Sequence, residues 1–332
     1  MKREGSIVGV LVSINCTTYN QEEYIADAIE SFLMQKTDFE YEILIGEDCS
    51  TDNTKKIVLE YVEKYPDKIR MITSESNVGA RKNSMRLLES SKGKYIAECE
   101  GDDYWIDPHK LQKQADFMVK NPDCTLCFHA AEIVKAPNKK IGRVSKPYTG
   151  NTKAPMEDLI FGGGGFCVTA SLFYPRRLME HPPGFYVEAP VGDYPLQMLL
   201  ASHGYAYYLD ECMAVYRSGV KGSWTLRNSM GGNVRGNLIS LNEGLIKLLD
   251  QFNEYTNYKY NVAITKRKQK LSLELLILKR KKKKQNQCEF NDYSFYTKMK
   301  TKMKIMIRCN FPSLFLALAD YKDVKKMIRD GK

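Results

Sequence analysis

The sequence predicts an α/β protein: a mostly parallel sheet with helices on both faces, Rossmann-like, followed by a mainly helical, basic C-terminal region. Three observations lead there. Strand-like and helix-like apolar periods alternate through the first 130 residues. Polar and acidic clusters sit where strand patterns end, the place at which parallel sheets bind ligands. Charge is also divided unevenly: residues 259–332 hold 21 Lys+Arg against 6 Asp+Glu, a net +15, while the rest of the chain carries −5.

Taken in order, Val8 to Ile14 is an apolar, β-branched-rich run and reads as the first strand. Gln21 to Gln35 places Tyr24, Ile25, Ala28, Ile29, Phe32 and Leu33 at helical spacing. Tyr41 to Gly46 is a second strand, and Thr54 to Lys64 a helix whose start Ser50 or Asp52 can cap. Ile69 to Thr73 and Tyr95 to Cys99 are strands on either side of a helix at Ala80 to Ser90. Pro108 to Lys120 is a helix with proline in its first turn, where no amide partner is lost, and Cys124 to Ala130 is a fifth strand. Residues 135–165 read as a loop-rich connection ending in Phe161-Gly-Gly-Gly-Gly-Phe166. That glycine run either permits the close approach of an acceptor or serves only as a flexible turn. A strand at Cys167 to Tyr174, a helix at Tyr194 to Ser202 and strands at Ala206–Leu209 and Met213–Tyr216 follow, with amphipathic helix from 233 to 280.

The 332 residues suffice for one large domain and an appendage. No apolar run nears the roughly 18 residues needed to span a bilayer. The N-terminal charges lack a following secretory-type apolar stretch. Nine cysteines, an odd number, suit reduced thiols in a cytoplasmic setting. Cys124 and Cys127 form a single CxxC with no companion pair, so packing on a strand is the better reading than zinc.

The segment Tyr95-Ile-Ala-Glu-Cys-Glu-Gly-Asp-Asp-Tyr-Trp105 carries the most chemistry. Glu100, Asp102 and Asp103 repel one another unless water or a cation neutralises them. Carboxylates together with diphosphate oxygens are the usual cradle for Mg²⁺ or Mn²⁺. After the first strand, Thr17-Thr18-Tyr19-Asn20 offers hydroxyls, an amide and an aromatic ring able to stack on a base. After the second, Asp48 stands where a carboxylate can accept a pyrimidine N–H. Neither GxGxxG nor GxxxxGK[ST] occurs, which argues against a dinucleotide site or a P-loop.

In the order TTYN, EDCSTDNT, SNVGARKN and ECEGDDYW, the chain resembles the donor half of family 2 glycosyltransferases, which have the GT-A fold. The resemblance covers residues 8–110 strongly and extends to about 225. It implies inverting transfer of a sugar from a nucleotide donor, commonly UDP-linked, with a divalent metal, Mn²⁺ or Mg²⁺. It assigns Thr18, Tyr19 and Asn20 to the base and ribose site, Asp48 to the uracil, and Arg81 to the base or phosphates. Glu100 takes the first acidic place of the family's DxD motif, usually Asp, and Gly101 the middle place. Asp102 takes the metal-ligand place, with Asp103 shaping the site and Trp105 packing behind it. In Val191-Gly-Asp-Tyr-Pro-Leu-Gln197, Asp193 matches the acceptor-side acid that serves as base, with Gly192 where a second acid is usual. Arg217 or Lys221, in Tyr216-Arg-Ser-Gly-Val-Lys-Gly-Ser-Trp224, either meets donor phosphate or belongs to a basic surface loop.

These readings divide the chain into a GT-A domain over 1–228, with a donor half over 1–130 and an acceptor half over 131–228, and a helical basic region over 229–332. The expected partners are a UDP-sugar, a glycan or lipid-linked acceptor, and an anionic membrane surface met by 259–332 from the cytoplasmic side. No specific nucleic acid is expected. A nucleic-acid binder acting through the tail leaves the rim carboxylates unexplained. A non-catalytic nucleotide-sugar-binding scaffold is the other alternative, motivated by Glu100 and Gly192.

Overall fold

The computed structural model describes residues 10–230, 232–279 and 295–311. Among these, ten strands join one sheet. They are β1 (Val12–Thr18), β2 (Tyr41–Glu47), β3 (Ile69–Ile72), β4 (Tyr95–Glu98), β5 (Tyr104–Trp105), β6 (Cys124–Lys135), β7 (Lys139–Ser145), β8 (Thr152–Ala154), β9 (Phe173–Pro175) and β10 (Tyr205–Ser218). The main path runs β3-β2-β1-β4-β9-β6-β10-β5, with β7 on β6 and β8 on β10. β3, β2, β1 and β4 pair in parallel, as do β6 and β10, so the sheet is mixed but parallel from β3 to β4.

β1 explains why this sheet is buried on both faces. Val12, Ile14 and Cys16 face one side, Ser13 and Asn15 the other, and all five are buried. The polar pair is partnered inside the protein: Ser13 Oγ donates to Glu42 Oε1 at 2.7 Å, and Ser91 Oγ donates to Asn15 Oδ1 at 3.0 Å, while Asn15 Nδ2 is buried without a partner. The strand lies four residues later than its apolar run suggests. The polar Asn15, Thr17 and Thr18 are central because their partners Leu44, Gly46 and Glu47 and the helices beyond enclose them.

The helices follow their apolar stripes. α1 (Ile25–Leu33) buries Ile25, Ala28, Ile29 and Phe32. α2 (Thr54–Lys64) and α3 (Ala80–Ser90) have the predicted bounds, and α4 (Lys110–Lys120) buries Leu111, Ala115 and Met118. The segment read as loop-rich contains β7, β8 and α5 (Met156–Gly162). Its edge strand is mostly exposed, so it carries lysines rather than an apolar alternation, and the pattern hides it. α6 (Gly184–Val187) and α7 (Asp193–Ser202) follow, α7 being buried from Tyr194 to Ala201. The two strands expected between 206 and 216 are one strand, β10, whose register shifts around Leu209, Cys212 and Ala214 interrupt the alternation.

The chain divides into two compact units. The first runs to Val187 and resumes over Gly192–Ser218; the second holds Glu188–Val191 and the chain from Gly219. In the second, α8 (Trp224–Met230) precedes a helical hairpin of α9 (Val234–Tyr255) and α10 (Asn261–Lys279). Asn233 caps α9 by accepting from the Gly236 amide at 3.0 Å. Arg235 at its start donates through Nε to the Leu278 carbonyl at 2.7 Å, which fixes the hairpin as antiparallel. α11 (Phe295–Asn310) packs Ile305 and Cys309 against Val234, Leu238 and Leu278. No described helix is long and apolar enough to cross a membrane. The basic run 280–284 and the apolar run 312–319 lie outside the described residues, as do residues 8 and 9 of the predicted first strand.

Candidate active site

The carboxyl ends of β1, β2 and β4 lie side by side, so the three strand-end motifs share one rim. The first two are laced together. The Asn20 amide donates to Ser50 Oγ at 3.0 Å, and Asn20 Oδ1 accepts from the Thr51 amide at 2.8 Å. The Gln21 amide donates to Thr54 Oγ1 at 2.7 Å, and Glu22 Oε2 accepts from the Asn53 amide at 2.9 Å. Asn20 has φ 52°, a left-handed turn that asparagine tolerates. Tyr19 beside it is 40% exposed, its ring on open surface, while Thr18 is buried and donates to Gln21 Oε1 at 2.8 Å.

Asp48 is buried and holds the next loop. Its two oxygens accept from the amides of Val78 and Gly79 at 2.8 and 2.9 Å, with Arg86 Nη2 at 3.8 Å. A carboxylate has about four lone-pair positions, so these bonds leave capacity for a further donor. Arg81 follows in the first turn of α3, with its guanidinium 4.6 Å from the centre of the Tyr186 ring.

The acidic turn closes against this rim. The Gly101 amide donates to the Thr17 carbonyl at 2.9 Å. A Cβ at Gly101 would lie 2.6 Å from Gln21 Oε1 and 2.9 Å from Thr18 Cβ, so only glycine fits here. Glu100 is pushed up to about 8 by burial and by the charges of Asp102 and Asp193. Asp102 is raised by burial, which the positive charge of Arg217 and a bond from Gln21 partly offset. Asp103 is raised well above the usual carboxylate range by burial, Asp102 and Glu100. Its Oδ1 accepts from the Arg217 amide at 2.8 Å, and its Oδ2 is buried without a hydrogen-bond partner.

Arg217 lies elsewhere than expected. The sequence offered it as a phosphate contact or a surface-loop cation; its side chain is fully buried beneath the acidic turn. Nη1 donates to the Asp102 carbonyl at 2.8 Å, Nε to the Pro137 carbonyl and Asn138 Oδ1 at 2.9 Å, and Nη2 to Asp27. Tyr24 and Tyr104 present their rings at 5.1 and 4.4 Å. Its fixed fork holds the turn in place from below, a structural use of planar multi-donor geometry. Asp27 and Tyr24 lie next to the first motif, yet their link to residue 217 has no local signal in the sequence. Trp105 packs as expected: it is buried, meets Phe32 edge-on at 4.8 Å, and donates from Nε1 to the Ala170 carbonyl at 2.9 Å. Cys124 and Cys127 are buried strand residues, and all eight cysteines among the described residues are free.

Asp193 is the first residue of α7. Its Oδ1 accepts from the Tyr194 amide at 2.7 Å, so it does part of a capping task. A Cβ at Gly164 would lie 2.3 Å from Asp193 Oδ2. Gly164 therefore makes room for Asp193: the carboxylate occupies the space a side chain would fill. Gln197, buried one turn further, donates from Nε2 to the carbonyls of Gly164 and Cys167 at 3.0 and 3.1 Å and holds that bend. Burial raises Asp193, while its amide bond and the charge of Arg81 oppose the rise. The charge of Asp193 helps to raise Glu100 in the acidic turn. Tyr186, Thr169 and Gln197 complete this side, and none stood out in the sequence.

The oxygen donors suit a hard divalent cation. Among the described residues no trio of His, Cys, Asp or Glu forms a metal centre by itself. One or two carboxylates supplemented by substrate oxygens is the arrangement Mg²⁺ favours. The orphaned Asp103 oxygen and the mutual repulsion across the turn fit such a cation.

A parallel donor-side sheet with an acidic turn after β4 and a carboxylate at the head of α7 is the GT-A architecture of glycosyltransferases. The chain belongs to glycosyl transferase family 2, whose family model matches residues 13–178. An uncharacterized protein of Mycobacterium tuberculosis is 36% identical over 217 residues, covering 64% of this chain and 60% of that protein. The Escherichia coli protein WfgD, a UDP-Glc:alpha-D-GlcNAc-diphosphoundecaprenol beta-1,3-glucosyltransferase, is 33% identical over 162 residues, 49% of this chain and 60% of that protein. The chain thus spans about 60% of the length of these relatives. Among solved structures, S. aureus TarS 1-349 in complex with UDP-GlcNAc superposes with a TM-score of 0.55 at 16% identity, covering 97% of this chain and 93% of that one. At that identity the likeness concerns the fold.

Proposed function

We propose that this chain is an inverting, metal-dependent glycosyltransferase that moves a sugar from a UDP-linked donor to a hydroxyl of a cell-surface glycan or lipid-linked acceptor. The observation that carries the reading is the rim shared by the three strand-end motifs, with Gly101 of the acidic turn bonded to Thr17 and the charge of Asp193 acting on Glu100.

In this reading Tyr19 stacks on the base, Asp48 accepts the uracil N–H, and Thr18 and Glu100 meet the ribose. Asn20 keeps the two rim loops together. Asp102 would hold Mg²⁺ or Mn²⁺ with the donor diphosphate, and the ion when bound neutralises charge on the leaving group. Asp193 takes the proton of the acceptor hydroxyl as that oxygen bonds to the anomeric carbon and the bond to the diphosphate breaks. Arg81 favours the ionised, proton-accepting form of Asp193. Arg217 keeps the acidic turn in place and makes no phosphate contact. WfgD is named for a UDP-glucose donor and a diphosphoundecaprenol-linked acceptor. A comparable acceptor here would bring the basic residues of 259–332 to an anionic membrane surface from the cytoplasmic side.

Calorimetric titration of UDP with Mn²⁺ and with EDTA tests the donor half. UDP binding that requires Mn²⁺ and vanishes in Asp102→Ala is expected. No binding of UDP, GDP, dTDP or CDP to the folded protein would overturn the reading. Asp193→Asn should retain UDP binding and lose at least about 100-fold in UDP release from UDP-sugars supplied with a bacterial lipid extract.

A further inference from the structure

α11 has two apolar faces, and the hairpin covers one of them. Ile305 and Cys309 are seated on Val234, Leu238 and Leu278. Met299, Met303 and Met306 recur at i, i+4 and i+7, which aligns them on a different face, and they are 56%, 57% and 49% exposed. Phe311, just beyond the helix, is 57% exposed. At about 100° per residue, Lys302 falls on one side of this stripe and Lys300 on the other. Both are exposed. Residues 295–311 contain Lys298, Lys300, Lys302, Lys304 and Arg308 and neither Asp nor Glu.

We propose that the Met299–Met303–Met306 face of α11 lies in the plane of an anionic phospholipid surface, with the methionines and Phe311 at the boundary between headgroups and acyl chains and the lysines at the phosphates. This deepens the membrane part of the reading above and is independent of its chemistry. Charge selects the occupant. A second copy of the same helix would bring five more cations against these five, and the first 258 residues carry only −5 in a chain of net +10. A nucleic acid would engage the lysines and leave the three aligned methionines in water. An anionic lipid surface meets both demands, since apolar side chains enter the interface while cations on both rims face headgroups. Methionine's unbranched, flexible chain also suits a fluid surface better than a shaped groove.

Flotation of the full chain with phosphatidylglycerol vesicles and with phosphatidylcholine vesicles tests this. Binding to the first, weakened by salt, and little binding to the second are expected. Met299→Gln/Met303→Gln/Met306→Gln keeps every charge and should weaken vesicle binding at least about tenfold, with unchanged circular dichroism and melting. Lys300→Gln/Lys302→Gln should weaken binding and flatten its salt dependence. Should the folded chain ignore phosphatidylglycerol vesicles, or the methionine variant float as well as the parent, the proposal is wrong. It is equally wrong if that variant instead converts a dimer to a monomer or abolishes duplex DNA binding. None of these readouts uses a nucleotide, so they stand or fall separately from the transferase reading.

Discussion

Glu100 shows how one residue links composition to stability. Its carboxyl is held up to about 8 against an ordinary 4.5, chiefly by burial and then by Asp102 and Asp193. Glu98, buried and bonded to the Tyr174 hydroxyl at 2.5 Å, is raised to about 7. Between their ordinary and folded values both groups hold more protons in the folded chain than in the unfolded one. The stability these two groups contribute therefore falls as pH rises from about 4.5 to 8, opposed at the lower end by buried His129, which is held well below its ordinary range. Melting of the metal-free protein should show that fall, and Glu100→Gln should reduce its slope without removing the part due to Glu98. Mn²⁺ should raise the melting temperature more at pH 8 than at pH 5, because a cation offsets the repulsion that deprotonation creates. A melting temperature independent of pH over this interval would show that the acids are not packed together. The acids themselves were legible as a cluster in the sequence. Their partner Arg217 was legible only as a cation, since its 114-residue separation from Asp103 leaves no local pattern.

At the scale of elements, α7 and the glycine bend before it form one device. The helix places Asp193, the missing Cβ of Gly164 makes room for its carboxylate, and Gln197 ties the bend to the helix. Gly164→Ala should displace that carboxylate, lowering turnover by about 100-fold while leaving UDP affinity within about twofold. Gln197→Leu should act in the same direction and move the acidic-side pKa of the pH–rate profile, where the base titrates, which a purely structural change would not do. Equal losses in UDP affinity and turnover would place the bend in the donor site instead. The sequence displayed four glycines at this bend and could not distinguish a close approach from a loose turn, because the atom they accommodate is 29 residues away.

For the whole molecule, the acidic turn depends on a core that reaches from α1 to β9. Trp105 is buried against Phe32, donates from its backbone amide to Ser31 Oγ at 3.0 Å, and donates from Nε1 to the Ala170 carbonyl. Trp105→Ala should cost about 3–5 kcal/mol in urea unfolding, from lost burial and the cavity left behind. A cost below about 1 kcal/mol would mean that the turn is anchored elsewhere.

The sequence by itself determined the alternation of strands and helices through residue 130, the three motifs at strand ends and the separation of a basic helical region. Each of these is written in local periodicity or in residues a few positions apart, and local spacing is what a linear chain displays. Only the tertiary structure decided that Arg217 sits under the acidic turn, that Gly164 receives Asp193, that β7 and β8 extend the sheet, and that α11 exposes Met299, Met303 and Met306. These depend on which distant segments meet, and burial, ion pairing and steric fit between such segments leave no periodic mark on the chain.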